Sequence, residues 1–239
     1  MEYRPIDIAR KLNISTSTLR QHEEMGIIPP VKRTDYGYRV FTQVHLDYFI
    51  CIRKMLKGYS LIFIGELLKE YMKGNKDKAL WMITKSQADF YEEKIRLERI
   101  GLNLIKNLKD KSYSAKEDKN KLMTINEISQ IADINITTIR YWESIGLIAS
   151  VRGKKSNYRL FNAEQIKEIQ IIHALKYSLN VKYNRYSIEM LKKELKNFNY
   201  DESNTRDLIE NIKRYLDKVN LEKIKAISAF YELISKEEG

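Results

Sequence analysis

Residues 14–41, ISTSTLRQHEEMGIIPPVKRTDYGYRVF, and residues 134–161, INITTIRYWESIGLIASVRGKKSNYRLF, align without a gap at an offset of 120 positions. The identical positions are Ile14/Ile134, Thr18/Thr138, Arg20/Arg140, Glu23/Glu143, Gly26/Gly146, Ile28/Ile148, Val31/Val151, Tyr38/Tyr158, Arg39/Arg159 and Phe41/Phe161. Self-similarity at one fixed offset points to a duplicated structural unit. A chain of 239 residues has room for two small domains, and the repeat favours that division over one larger domain.

Each copy reads as two short helices and a hairpin. Pro5 suits a first helical position, Asp7 suits the first turn, and Ile8 and Leu12 share a face. Thr124 and Glu127 have capping-box spacing in the second copy. Asn13-Ile14 predicts a tight turn before a helix from Thr16 to about Met25, with Ser15 as its cap, Asn135 at the matching place and Gly26 at its end. This is a helix-turn-helix pattern. Residues 27–41 then predict two short strands around Thr34-Asp35-Tyr36-Gly37. Asn157 replaces Gly37, which is consistent with one left-handed turn geometry in both copies.

The duplication continues into a third helix, with Leu46, Phe49, Ile52 and Met55 matched by Ile166, Ile169, Ile172 and Leu175. A fourth helix follows Tyr59-Ser60-Leu61, carrying Ile64 and Leu68, and recurs at Tyr186-Ser187-Ile188 with Leu191 and Leu195. There the offset has grown to 127, which puts seven extra residues between Tyr177 and Tyr186. A long helix is expected after each unit. Ile83, Phe90, Leu97 and Leu104 recur every seven residues, and Ile209, Ile212, Leu216, Val219, Ala226, Phe230 and Leu233 fill both seam positions of a heptad. Lys111 to Lys121 is polar and reads as a linker. The expected layout is a first winged helix-turn-helix over 1–75, a long helix over 78–110, the linker over 111–121, a second winged unit over 122–200 and a long helix over 203–237.

A formal charge of +11 gives the chain an attraction for polyanions. No apolar run approaches the roughly 20 residues that span a bilayer, so the chain reads as cytoplasmic, with no membrane partner. The single cysteine, Cys51, lies in an apolar pattern and reads as core. His22, His45 and His173 are scattered and lack companions at ligand spacing, so no metal or other cofactor is expected. Nothing resembles a nucleophile with its base, a phosphate loop or paired catalytic carboxylates, and the chain does not read as an enzyme.

The order of T-[LI]-R and Glu on a helix, then Gly, then a wing ending in Y-R-x-F, resembles the MerR family of bacterial transcription regulators. TIRYWESIGLI and YGYRVF carry the likeness, while Gln21-His22 departs from it, since aromatic residues are usual there. The resemblance implies a mainly α fold: two winged helix-turn-helix domains, each followed by a long helix, with the helices paired as an antiparallel coiled coil. It further implies a sequence-specific, double-stranded DNA-binding transcription regulator, a single-chain pseudo-dimer on the bacterial nucleoid with reading heads roughly 34 Å apart. Family members act by distorting promoter DNA, which makes RNA polymerase an implied partner.

By this resemblance Thr18, Arg20 and Gln21, with Thr137, Thr138, Arg140 and Tyr141, approach the major groove. Arg33, Tyr38 and Arg39, with Arg152, Tyr158 and Arg159, hold the backbone at the wings, where Lys32, Lys154 and Lys155 add charge. Unlike reading helices imply an asymmetric operator. Phe41 and Phe161 read as packing the wing onto the core, Glu23 and Glu143 as structural, and Lys94 and Arg96 as a solvated face. Trp81 and Phe90 read as core, although with Tyr91 and the Tyr177–Tyr186 insertion they could offer aromatic surface to a small-molecule effector. Two alternatives stand beside the regulator: an architectural or recombination-associated DNA-binding protein, and an interaction protein whose coiled coil joins two chains.

Overall fold

Helix α1 (Pro5–Leu12) starts at Pro5, whose missing N–H falls among donors that a helix leaves unused at its N-terminus. Asp7 accepts from the backbone N–H of Arg4 at 3.0 Å and closes that end. Asn13 takes a left-handed backbone, φ 50°, and turns the chain into α2 (Thr16–Glu24), where Ser15 Oγ accepts from the N–H of Thr18 at 3.1 Å. Ile8 and Leu19 are buried between the two helices and the rest of the core.

Strands β2 (Lys32–Arg33) and β3 (Arg39–Thr42) form the wing, with Arg33 opposite Arg39. A third strand, β1 (Glu2–Tyr3), pairs with the other edge of β3 and sets Tyr3 opposite Phe41. The sequence reading missed β1, because two residues are too few to show alternation. Helices α3 (Gln43–Met55) and α4 (Leu61–Met72) complete the winged unit, and Leu46, Phe49, Ile52, Met55, Ile64 and Leu68 are all buried.

The pattern recurs as β4 (Met123–Thr124), α6 (Ile125–Ala132), α7 (Ile136–Ser144), β5 (Val151–Arg152), β6 (Arg159–Phe161), α8 (Ala163–Tyr183) and α9 (Ile188–Asn197). Asp133 repeats the left-handed turn of Asn13 with φ 57°, and the Thr124–Glu127 capping box is formed. Asn135 departs from expectation: it stands where Ser15 stands, but its side chain makes no cap hydrogen bond. The added residues between the third and fourth helices extend the third, since α8 has 21 residues against 13 in α3. Gly37 has the left-handed φ expected of the wing turn, 79°.

The computed structural model describes residues 2–109, 122–153, 158–183, 187–199 and 201–238, so Lys154, Lys155, Asn157 and the expected linker at 111–121 lie outside the described residues. Two long helices, α5 (Lys76–Lys109) and α10 (Glu202–Glu238), follow the winged units. Each contributes to two compact units, one comprising 1–90 with 217–239 and the other 91–216. In the first, Ala79 and Ile83 share a core with Ala226, Phe230 and Leu233. In the second, Leu97, Ile100 and Leu104 are buried, as are Leu208, Ile212 and Leu216. Among the described residues no helix is long and apolar enough to cross a membrane.

Three side-chain expectations on α5 need correction. Trp81 is 70% exposed rather than core, because it lies two positions off the seam that Ile83 occupies, while Phe90 is only partly buried. Lys94 and Arg96 are not a freely solvated face. Lys94 Nζ donates to Glu98 at 2.6 Å, and Arg96 donates to Glu93 at 2.5 Å.

Candidate nucleic-acid interface

Helix α2 buries Leu19 and His22 and turns Arg20 and Gln21 outward; α7 buries Ile139 and Trp142 and turns Arg140 and Tyr141 outward. The Gln21-His22 departure therefore divides into two effects. His22 stacks on Phe49 with centroids 5.9 Å apart, as Trp142 leans on His173 at 6.3 Å, so this position belongs to the core. At the surface α2 and α7 differ at the exposed neighbour of this position, Gln21 or Tyr141, as well as at Ser17 against Thr137 and Glu24 against Ser144. Arg20 and Arg140 make no ion pair among the described residues, which leaves two guanidinium forks directed at solvent.

The threonines are less available. Thr18 and Thr138 are half-buried, and Thr18 Oγ1 lies 2.9 Å from Ser15 Oγ within the cap. Thr137 is exposed. On the wings Tyr38 and Tyr158 are 73% and 70% exposed. Phe41 and Phe161 are wholly buried and fix each wing to its core, with Phe41 edge-on to Phe49 at 5.5 Å.

The wing arginines at 39 and 159 have carboxylate partners. Arg39 Nε donates to Glu23 and Arg159 Nε donates to Glu143, each a short ion pair from reading helix to wing. Ser150 Oγ also donates to Glu143, and Arg33 reaches Glu23 at 3.5 Å. Burial works against the Glu143 charge, but hydrogen bonds from Ser150 and Arg159 hold its carboxyl below the usual range. The two glutamates thus set the angle between helix and wing, and each leaves the remaining guanidinium donors of its arginine for another acceptor.

In the second winged unit these side chains border one cleft of about 440 Å³, lined by Arg140, Arg152, Tyr158 and Arg159 with Thr124 and Asn126. Three arginines lie beside the start of α6, where a helix N-terminus adds its own partial positive charge, a combination chemically suited to an anion. Thr124 and Asn126 were not expected there. Their signal was position alone, at the first residues of a capped helix. The equivalents 120 positions earlier are Arg4 and Ile6, so the two heads offer unlike chemistry at this point as well.

A second set of residues, drawn from segments far apart in the sequence, anchors this winged unit to α5. Tyr177 OH donates to Glu93 Oε1 at 2.5 Å, and His173 Nε2 lies 3.0 Å from the same oxygen. Arg99 donates to Asp133 in the helix-turn-helix turn at 2.6 Å. Burial opposes the Glu93 charge, yet His173 and Tyr177 hold its carboxyl down at about 2.

Residues 4–41 match the model of the MerR family regulatory protein, and residues 123–197 match that of the MerR HTH family regulatory protein. The chain is 35% identical over 63 residues to the HTH-type transcriptional regulator CueR of Salmonella typhi, across 26% of this chain and 46% of that protein. It is also 35% identical over 69 residues to the mercuric resistance operon regulatory protein of Bacillus cereus, across 28% and 52%. The chain spans about half the length of the curated relatives it matches. Among solved structures it is similar to HiNmlR, a MerR family regulator lacking the sensor domain, bound to promoter DNA, at 26% identity over 45% of this chain and 83% of that one, with a TM-score of 0.33. The family matches fall on the two regions in which reading helix and wing recur with the same internal ion pair. The chain belongs to the MerR family and carries two MerR-type winged helix-turn-helix units in one polypeptide.

Proposed function

We propose that the chain is a sequence-specific transcription regulator that binds double-stranded DNA through both winged units, as a single-chain pseudo-dimer on an asymmetric operator. The observation that carries this reading is the double occurrence of an outward reading arginine, Arg20 or Arg140, beside a wing with an exposed tyrosine, Tyr38 or Tyr158. Arginine forks suit guanine edges and phosphates, and wing side chains suit the backbone. Unlike neighbours, Gln21 against Tyr141, support unlike half-sites.

The pseudo-dimer uses winged units at 1–75 and 122–200, joined by 111–121, with the long helices 78–110 and 203–237 as an antiparallel coiled coil. Two contacts support that pairing. In the first compact unit Lys223 Nζ donates to Ser86 Oγ at 3.2 Å, and in the second a Cβ on Gly101 would lie 3.1 Å from Ile209. Acting in the bacterial cytoplasm on the nucleoid, the protein would distort promoter DNA and thereby affect RNA polymerase. The test is the mass of the purified complex on a bound duplex. One chain per duplex is expected, and two chains would overturn the pseudo-dimer in favour of an interchain assembly. Binding spread without preference for promoters would favour the architectural or recombination-associated alternative.

A further inference from the structure

The two units share one pattern, so each is a control for what the other carries. At the start of α3, Tyr48 is buried and its hydroxyl is hydrogen-bonded to Glu237, while Lys236 Nζ donates to Asp47 Oδ1 at 2.6 Å. Aromatic bulk fills the space there, and the charges are paired. At the matching place, 120 positions on, Glu168 replaces Tyr48 and Lys167 replaces Asp47. A cavity of about 510 Å³ opens there, bordered by α8, α5 and α10.

Leu104 of α5 and Ile171 of α8, both buried, supply its apolar wall. Thr205 of α10 also lines it, and the Thr205 hydroxyl is buried without a hydrogen-bond partner among the described residues. Glu168 is half-buried in the cavity. Burial pushes its carboxyl up. A carboxylate partly withdrawn from water, and an unsatisfied buried hydroxyl lining the same cavity, are each costly for the protein alone. Few polar groups converging over an apolar wall is the usual form of a small-molecule site.

We propose that this cavity binds a small organic cation, with its apolar body against Leu104 and Ile171, its protonated amine donating to the Glu168 carboxylate, and the Thr205 hydroxyl accepting or donating one further hydrogen bond. Glu164, Glu168 and Lys167, all on α8, are the charged residues that line the cavity, so the local balance is one negative charge and favours a monoamine over a polyamine. The chain as a whole carries +11, so any preference for a cation has to come from this local group rather than from the overall field. Cation binding at this cavity requires no DNA.

The test uses the full chain without DNA and two fluorescent probes of one aromatic body: dansylcadaverine, with a single amine, and dansylglycine, with a carboxylate. Saturable binding of one dansylcadaverine per chain is expected, weakened at least tenfold in Glu168→Gln and several-fold in the near-isosteric Thr205→Val, and unchanged in Tyr48→Phe. Circular dichroism on each variant separates loss of binding from loss of fold. Equal binding of dansylglycine, or wild-type affinity in a folded Glu168→Gln variant, would overturn the proposal.

Discussion

Glu143 on α7 and Arg159 on β6 join the reading helix of the second winged unit to its wing, and Glu23 with Arg39 makes the same connection in the first. The carboxylates are mostly buried at 17% side-chain exposure, so each pair is shielded from salt better than a surface ion pair. Replacing Glu143 by Gln should loosen the wing and also leave Arg159 without its charged partner. An effect on DNA affinity of about 1 kcal/mol is expected, or roughly a three- to tenfold rise in Kd. Measuring Kd for Glu143→Gln and Glu23→Gln on one duplex checks this, and affinities equal to wild type in both would remove the positioning role.

Gly58 shows how closely α10 approaches the first winged unit. A Cβ at that position would meet Lys223 Cα at 2.7 Å and the Glu222 carbonyl oxygen at 2.8 Å, both backbone atoms that cannot rotate aside. At Gly101 the neighbour is the Ile209 side chain at 3.1 Å, which can yield by a few tenths of an ångström. Gly58→Ala should therefore destabilise by about 1–3 kcal/mol, and Gly101→Ala by clearly less. Urea midpoints of the two variants decide the order.

Acid should weaken the unit that holds Glu93. Its carboxyl lies at about 2 in the folded protein against an ordinary 4.5, so the charged form is favoured by folding. The stability it contributes is present above pH about 4.5 and is lost as pH falls toward 2. Trp142, buried against His173, reports locally on this unit. Glu93→Gln should flatten the pH dependence of unfolding followed at Trp142 between those limits, and an unchanged slope would assign the acid sensitivity elsewhere.

Arg152 borders the anion-sized cleft beside Arg140 and Arg159. If it meets a phosphate, Arg152→Ala should weaken binding to every sequence alike and reduce the slope of log K against log salt by about one. Loss confined to one preferred sequence would place it on a base instead.

Much of the architecture was legible because the repeat stated it twice: the turn at Asn13 recurs at Asp133, and the buried Phe41 recurs at Phe161. What was illegible has physical causes. On α5 only Ile83, Phe90, Leu97 and Leu104 showed a heptad, because polar residues occupy intervening seam positions. Ser86 meets Lys223 there, and Glu93 meets His173 and Tyr177. Those partners lie 80 or more positions away in sequence, beyond any local pattern. For the candidate interface, the exposed arginines were read directly from T-[LI]-R. The glutamate pairs at Arg39 and Arg159 join a helix to a strand, and only the folded arrangement brings them together.

If the proposed pseudo-dimer is right, the two winged units of one chain read two unlike half-sites. The decisive measurement is selection of bound duplexes from random DNA with wild type, Arg20→Ala and Arg140→Ala. Two different half-sites about one helical turn apart are expected, with Arg20→Ala relaxing one and Arg140→Ala the other, each at a cost of about 1–3 kcal/mol. Identical half-sites, or a selected sequence that neither substitution alters, would contradict it.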